Sequence, residues 1–357
     1  MALGGNALQR SGGEGTWAET VAQMRATAPA LARVVAEGHE LLVTHGNGPQ
    51  VGALLRESEL SSREVPPRPL PVLGAETEGQ IGFLIQTELT AALERLRVPR
   101  TVATVICRVE VSPKDPAFRT PTKPVGRYYS ENEARLHRKS DGWAMTYDGA
   151  RGGWRRLVPS PRPIRWLEAE LVRHLLRTGW GSQWVPVLTG GGGIPVVPKG
   201  RGVYEGVDAV IDKDLTASLV ARELGLDTLA IVTDVPAVAV GFGRPWERWL
   251  GATTIEALET CLARGEFAEG SMAPKIQAGL EFLRGGGRHL IITDIPSLAR
   301  SLRGEAGTRV SRAEPGVPGR TSRAASPRRS RTGAPASGGP RARPATRPAR
   351  RRGGART

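Results

Sequence analysis

Glu40-Leu41-Leu42-Val43-Thr44-His45-Gly46-Asn47-Gly48-Pro49-Gln50 passes from a short apolar run through a glycine turn into a proline-led segment. Glu40–Thr44 reads as a strand, and the pattern from Pro49 to Leu60 reads as a helix. Strand, tight turn and helix in that order form the repeating unit of α/β proteins.

Outward from this stretch the unit recurs. Downstream, Glu76 to Arg97 has the periodicity of a long helix, and Thr101 to Arg108 that of a strand. Pro163 to Thr178 is read as a helix with its proline in the first turn, and Gln183 to Thr189 as a strand. Asp214–Leu224 is then a helix, Thr228–Thr233 a strand, Ala273–Leu283 a helix and His289–Thr293 a strand. Strands separated by helices require right-handed crossovers, so the expected fold class is α/β with a mostly parallel sheet covered on both faces. Between about 111 and 163 the rhythm lapses into a segment rich in Pro, Gly, Arg and Tyr, which predicts a small excursion of hairpins and loops.

The whole chain of 357 residues carries a formal charge of +15, which at first suggests a nucleic-acid binder. The charge is unevenly spread. Ser311–Thr357 holds thirteen arginines and one acid, Glu314, for +12, leaving +3 on residues 1–310. The tail has almost no large apolar residue and is read as disordered. A basic tail can bind nucleic acid or an acidic membrane surface. A solvated extension, or read-through in a wrong frame, explains it as well and is the favoured reading, because no aromatic or heptad accompanies the arginines. No apolar run is long enough to cross a membrane, and no basic region followed by an apolar stretch opens the chain. Cys107 and Cys261 are read as reduced thiols of a cytoplasmic enzyme.

Three glycine turns end strands or sit where one would end: Gly4-Gly5-Asn6, Gly46-Asn47-Gly48, and Gly190-Gly191-Gly192-Gly193. Parallel strands deliver their C-terminal ends to one crevice. Glycine there lets backbone N–H groups approach phosphate oxygens beside a helix N-terminus. No G-x-x-x-x-G-K-[ST] is present, and no G-x-G-x-x-G is followed by the acidic residue of a nicotinamide site. Lys213, in Ile211-Asp212-Lys213-Asp214, and Lys275, in Ser271-Met272-Ala273-Pro274-Lys275, each sit at a helix start, where the helix dipole disfavours a cation unless an anion compensates. Lys123 is held between prolines in Pro121-Thr122-Lys123-Pro124. His45 lies inside a glycine loop and is read as structural.

These segments resemble the carbamate kinases. Ala2–Leu8, Thr44–Gly52, Asp115–Phe118, Pro121-Thr122-Lys123-Pro124, Val158-Pro159-Ser160-Pro161-Arg162-Pro163, Gly190–Pro195, Ala209–Asp214, Thr233-Asp234-Val235 and Gly270–Lys275 carry the likeness in order. The resemblance implies a three-layer α/β/α sandwich of about eight strands over residues 1–310, with a small subdomain protruding at about 111–163. It implies a homodimer, Mg²⁺ carried in on ATP or ADP with no metal held by the protein alone, and the reaction ATP + carbamate = ADP + carbamoyl phosphate, making ATP in arginine catabolism. By the same resemblance Lys213 and Lys275 grip the phosphoryl group with Asp214 positioning them, and Lys123 reaches in from the subdomain. Gly4, Gly5, Asn6, Gly46, Asn47 and Gly48 hold the phosphoryl group and carbamate, while Gly190, Gly191, Asp234 and Met272 line the nucleotide side. Carbamate is already an anion, so a lysine-rich, histidine-poor site suits it. A kinase of the same fold acting on another carboxylate or a nucleoside monophosphate, and an inactive relative that binds nucleic acid through the tail, are the alternatives. The family has a full apolar strand where this chain has Met1-Ala2-Leu3, and the expectation is a translation start further upstream.

Overall fold

The computed structural model describes residues 1–8, 15–149, 152–178, 183–268 and 270–312. The arginine-rich tail beyond Arg312, and its reading as disordered, lie outside them. Six strands form one sheet in the order Ala252–Thr253, Thr308–Ser311, His289–Thr293, Thr228–Val232, Ala2–Leu3, Thr44–His45. The sheet continues through a parallel bridge between Val43 and Val187 into the pair Trp184–Val187 and Thr101–Thr104, completing eight strands. All run parallel except Thr308–Ser311, which is antiparallel to His289–Thr293, and Ala252–Thr253, which follows it.

Successive side chains in a strand face opposite sides of the sheet, and that alternation builds two cores. Leu3 and Val232 point to one face, where they meet Met24 and Leu31 of the helix Trp17–Ala36 and Ile85 and Leu89 of the helix Leu70–Arg95. Ala2 and Ile231 point to the other, against Ala217 of the helix Lys213–Glu223 and Ile276 and Phe282 of the helix Met272–Arg284. Helices on both faces make the three-layer sandwich. Among the described residues no helix is long and apolar enough to cross a membrane.

The central strand Ala2–Leu3 is only two residues long, against five in its neighbour Thr228–Val232. Ala2 pairs with Ile231 on one side and Thr44 on the other, which sets Met1 opposite Ala230 and leaves Thr228 and Leu229 with no residue opposite them on that side. In the gap lies a cavity of about 690 Å³, lined among others by Met1, Leu42, Trp184, Leu226 and Thr228. Met1 lines it, and its terminal nitrogen donates to the Leu42 carbonyl at 2.7 Å. Burial, with Lys213 adding repulsion, pushes this amine down to about 5. The gap also explains why the strand read at Glu40–Thr44 is realised only at Thr44–His45.

Other elements depart from the sequence reading for local reasons. Pro163 opens no helix: Pro163–Trp166 is a strand at the edge of a second sheet, antiparallel to Arg108–Val111, and the helix begins at Ala169. A proline missing its N–H is as acceptable at an edge strand as in a first helical turn. The run Thr101–Arg108 divides, its end joining that second sheet at Arg108. The long helix starts at Leu70 rather than Glu76, with Pro71 in its first turn.

The excursion is a three-stranded antiparallel sheet, with Gly153–Val158 between Lys123–Tyr129 and Ala144–Asp148, and it carries a helix, Glu131–Ser140, that the sequence reading left as loop. That helix is opened by a capping box in which Ser130 and Glu133 satisfy each other's backbone N–H groups. With few aliphatic residues to bury, the subdomain packs through arginines on rings: Arg127 over Tyr129, Arg138 over Trp154 and Arg156 over Trp143.

Candidate active site

Five parallel strands end at one edge of the main sheet, and their following turns carry Gly4, Gly46, Thr189-Gly190, Asp234 and Asp294. Gly4 donates to Val232 O at 2.8 Å, and a Cβ on it would lie 2.8 Å from that same oxygen. Only a glycine lets the first turn close onto its neighbour. Gly46 donates to Leu3 O and leaves room for the aliphatic stem of Lys213, 3.3 Å from where its Cβ would be. Gly5 and Asn6 lie in the single turn Gly5–Ala7, and Gly48 opens the helix Gly48–Ser61.

The centre of the crevice is Asp214, whose side chain is 3% exposed. It accepts from Lys213 Nζ on one oxygen and from Lys275 Nζ, at 3.0 Å, on the other. The lysines come from the first turns of two packed helices, Lys213–Glu223 and Met272–Arg284. Burial alone would raise the Asp214 carboxyl, but the two ammoniums outweigh it and hold it below the usual carboxylate range. Burial and the neighbouring Lys275 charge lower Lys213, with Asp214 opposing them. Asp212 caps the Lys213 helix, accepting from Asp214 N at 2.9 Å, and its other oxygen accepts from Lys123 Nζ at 3.0 Å. All four residues singled out as catalytic therefore lie in one connected network. An oxyanion brought to it meets several positive groups with little water between them.

The third glycine loop packs against the turn that follows Thr44–His45. A Cβ on Gly191, at φ +66°, would sit 2.2 Å from the Asn47 amide, and one on Gly190 would overlap the His45 ring at 2.4 Å. Gly190 and Gly191 thus line the Asn47 side. Asp234 and Met272 line a separate cavity of about 180 Å³ that also reaches Lys275. Phe242, Trp249 and Phe267 complete its walls. Sequence reasoning passed over these rings because exposed and core aromatics look alike in a sequence.

Two residues of the long helix hold the Asn47 side in place, and neither stood out in the sequence. Thr77 Oγ1 accepts from Asn47 Nδ2 at 2.9 Å. Glu78, 1% exposed, accepts from Gly190 N at 2.7 Å and Cys107 N at 3.1 Å. Burial pushes the Glu78 carboxyl up to about 8 against the pull of those two donors. It pushes the His45 imidazole down to about 4, leaving it neutral, with Nδ1 3.2 Å from Gly46 O. The raised Glu78 value makes the folded state bind a proton that the unfolded chain releases above about 4.5. Glu78's contribution to stability is therefore intact below that pH and lost as pH rises through 8. Between pH 6 and 9 the parent should lose about 2–3 kcal/mol more stability than Glu78→Gln, read by denaturant unfolding at each pH. Parallel curves for the two proteins would contradict this.

Comparison with known proteins agrees with the geometry. Residues 1–294 match the Amino acid kinase family. The carbamate kinase of Pyrococcus horikoshii is 42% identical over 313 residues, covering 87% of this chain and 98% of its own length. That of Halobacterium salinarum is 44% identical over 315 residues, covering 87% and 97%. A solved structure of the Giardia lamblia carbamate kinase bound to AMP-PNP superposes with a TM-score of 0.80 at 36% identity, over 87% of this chain and 96% of that one. At that identity, over nearly the full length of its relatives, this chain belongs to the carbamate kinases of the amino acid kinase family and is a phosphotransferase.

Proposed function

We propose that the protein transfers a phosphoryl group from carbamoyl phosphate to ADP, releasing carbamate, and that it works in this ATP-forming direction in arginine breakdown. The observation that carries the chemistry is the pair of buried lysines sharing Asp214 at the mouth of the glycine turns. An oxygen of the ADP β-phosphate attacks phosphorus, the bond from phosphorus to the carbamoyl oxygen breaks, and carbamate leaves as an anion. No proton has to move, which suits a site whose histidine is neutral and buried. Lys213 and Lys275, with Lys123 from the subdomain, offset charge on the equatorial phosphoryl oxygens. Gly5, Asn6, Gly46 and Asn47 offer donors to the phosphoryl group and to carbamate, and Gly190 and Gly191 belong with them. The nucleotide base enters the cavity walled by Phe242, Trp249 and Met272, beside Asp234. Its size and apolar rings fit a base, and Lys275 at its inner end fits the phosphates. Mg²⁺ arrives on those phosphates and supplies further charge neutralisation. With carbamoyl phosphate and acetyl phosphate compared as donors to ADP, the former should be used far faster; equal or faster use of acetyl phosphate would contradict the assignment.

We also propose a homodimer, in the cytoplasm, where Cys107 and Cys261 stay unpaired. The outer side of the helix Leu70–Arg95 leaves Phe83 63% exposed beside Ile106. A groove of about 560 Å³ runs there, along Gly79, Phe83, Thr87 and the edge strand's Thr104. A second copy laid on this face would bury both. Phe83→Asp should then shift the protein from dimer to monomer in light scattering, and an unchanged mass would contradict this interface.

A further inference from the structure

The ion pair between Lys123 and Asp212 joins two parts of the chain 89 residues apart. The subdomain also rests on the main body through Glu59, which accepts from Tyr129 Oη at 2.7 Å and lies 3.9 Å from Arg127 Nε, and through apolar contacts. Val125 packs with Val51 and Leu55 of the helix Gly48–Ser61, and the backbone of Gly126 lies over Gly52, 3.5 Å from where a Cβ on Gly52 would be. Those contacts settle where the strand Lys123–Tyr129 lies. They leave free the direction of the Lys123 side chain, which is 32% exposed and has a long flexible stem.

Asp212 supplies that direction. One carboxylate oxygen accepts from the N–H groups of Asp214 and Leu215, at 2.9 and 3.4 Å, as the cap of the helix that carries Lys213. The other accepts from Lys123. Burial disfavours the Asp212 charge, and Lys123 followed by Lys213 outweighs it, holding the carboxyl down to about 2. A single side chain therefore fixes the start of the catalytic helix and the tip of the subdomain lysine in one frame.

We infer that Asp212 is a positioning residue, which holds Lys123 in line with Lys213 and Lys275 for the transferring phosphoryl group; this rests on the carbamate kinase reading above. Its role is separable from its structural one, because asparagine caps a helix as well as aspartate does and cannot pair with an ammonium as an ion.

The test is a double-mutant cycle on the full chain, with ATP formation from ADP, Mg²⁺ and carbamoyl phosphate measured in the parent, Asp212→Asn, Lys123→Ala and the double variant. Thermal unfolding of Asp212→Asn should stay close to the parent. Its kcat/KM for carbamoyl phosphate should fall about 10- to 100-fold, the scale set by misplacing a charge-stabilising group. In the Lys123→Ala background the same change should cause no further loss. An equal loss in both backgrounds, or parent-like kcat/KM in Asp212→Asn, would overturn the inference while leaving the reaction assigned. An inactive parent would overturn both. Should Asp212→Asn unfold, Asp212→Ser keeps a capping oxygen without the charge and takes its place in the cycle.

Discussion

Asp214→Asn should lower turnover by about 10²- to 10³-fold, the cost of removing one preorganised charge-stabilising element. The carboxylate touches both Lys213 and Lys275, so its loss is felt by two groups at once. Lys213 is already lowered by burial and by Lys275, and the Asp214 carboxylate is the main charge opposing that shift. Without it the Lys213 ammonium gives up its proton more readily, and a neutral amine does little for a phosphoryl oxyanion. The pH dependence then has a definite sign. A lysine with a depressed pKa regains its proton as pH falls, so residual activity of the variant should rise toward lower pH relative to the parent. Stability should drop as well, because a buried ion cluster with one partner removed typically costs about 3–5 kcal/mol. Turnover within about threefold of the parent, where a catalytic charge is normally worth far more, would mean that Asp214 does not organise the lysines.

Lengthening the central strand should have the largest effect on stability. Of three apolar residues placed ahead of Met1, which stands in register with Ala230, the nearest two would pair with Leu229 and Thr228, and together the three would fill the cavity that now adjoins Leu42 and Trp184. Each aliphatic side chain fully buried there is worth about 1.5–3 kcal/mol, so a gain of several degrees in Tm is expected at about 2–4 °C per kcal/mol. The addition also removes the ammonium from its buried position. In the chain as it stands that amine titrates near 5 folded and near 8 unfolded. The unfolded state therefore binds the extra proton, and stability rises with pH between those values. The lengthened chain should lose this slope. A Tm unchanged or lowered, or a slope that persists, would show that the cavity is not a strand-shaped gap.

What was legible in the sequence was local. Glycine turns after apolar runs, and lysines at helix starts, announce themselves within a few residues, and the structure brings Lys123, Lys213, Asp214 and Lys275 into one network. Pro163 was misread because a missing N–H suits two different settings, and the sheet that decided between them is completed by Arg108–Val111, far upstream. The helix Glu131–Ser140 carried a readable signal in Ser130-x-x-Glu133 that its polar, arginine-rich composition obscured. Glu78 left no trace, since an acid within a helical pattern looks like part of a solvated face until the fold buries it against Gly190 and Cys107. The contact of Gly190 and Gly191 with His45 and Asn47 is likewise a fact of three dimensions, set by a turn far away in the sequence. Local chemistry survives in a one-dimensional reading, and pairings across the chain do not.

The most direct measurement is ATP formation from ADP, Mg²⁺ and carbamoyl phosphate by the full chain and by Lys213→Ala. Steady ATP production by the parent that falls by at least about 10²-fold in the variant is the predicted result. A folded parent that makes no ATP from carbamoyl phosphate, or a variant that matches it, would contradict the assignment of this crevice to phosphoryl transfer from carbamoyl phosphate.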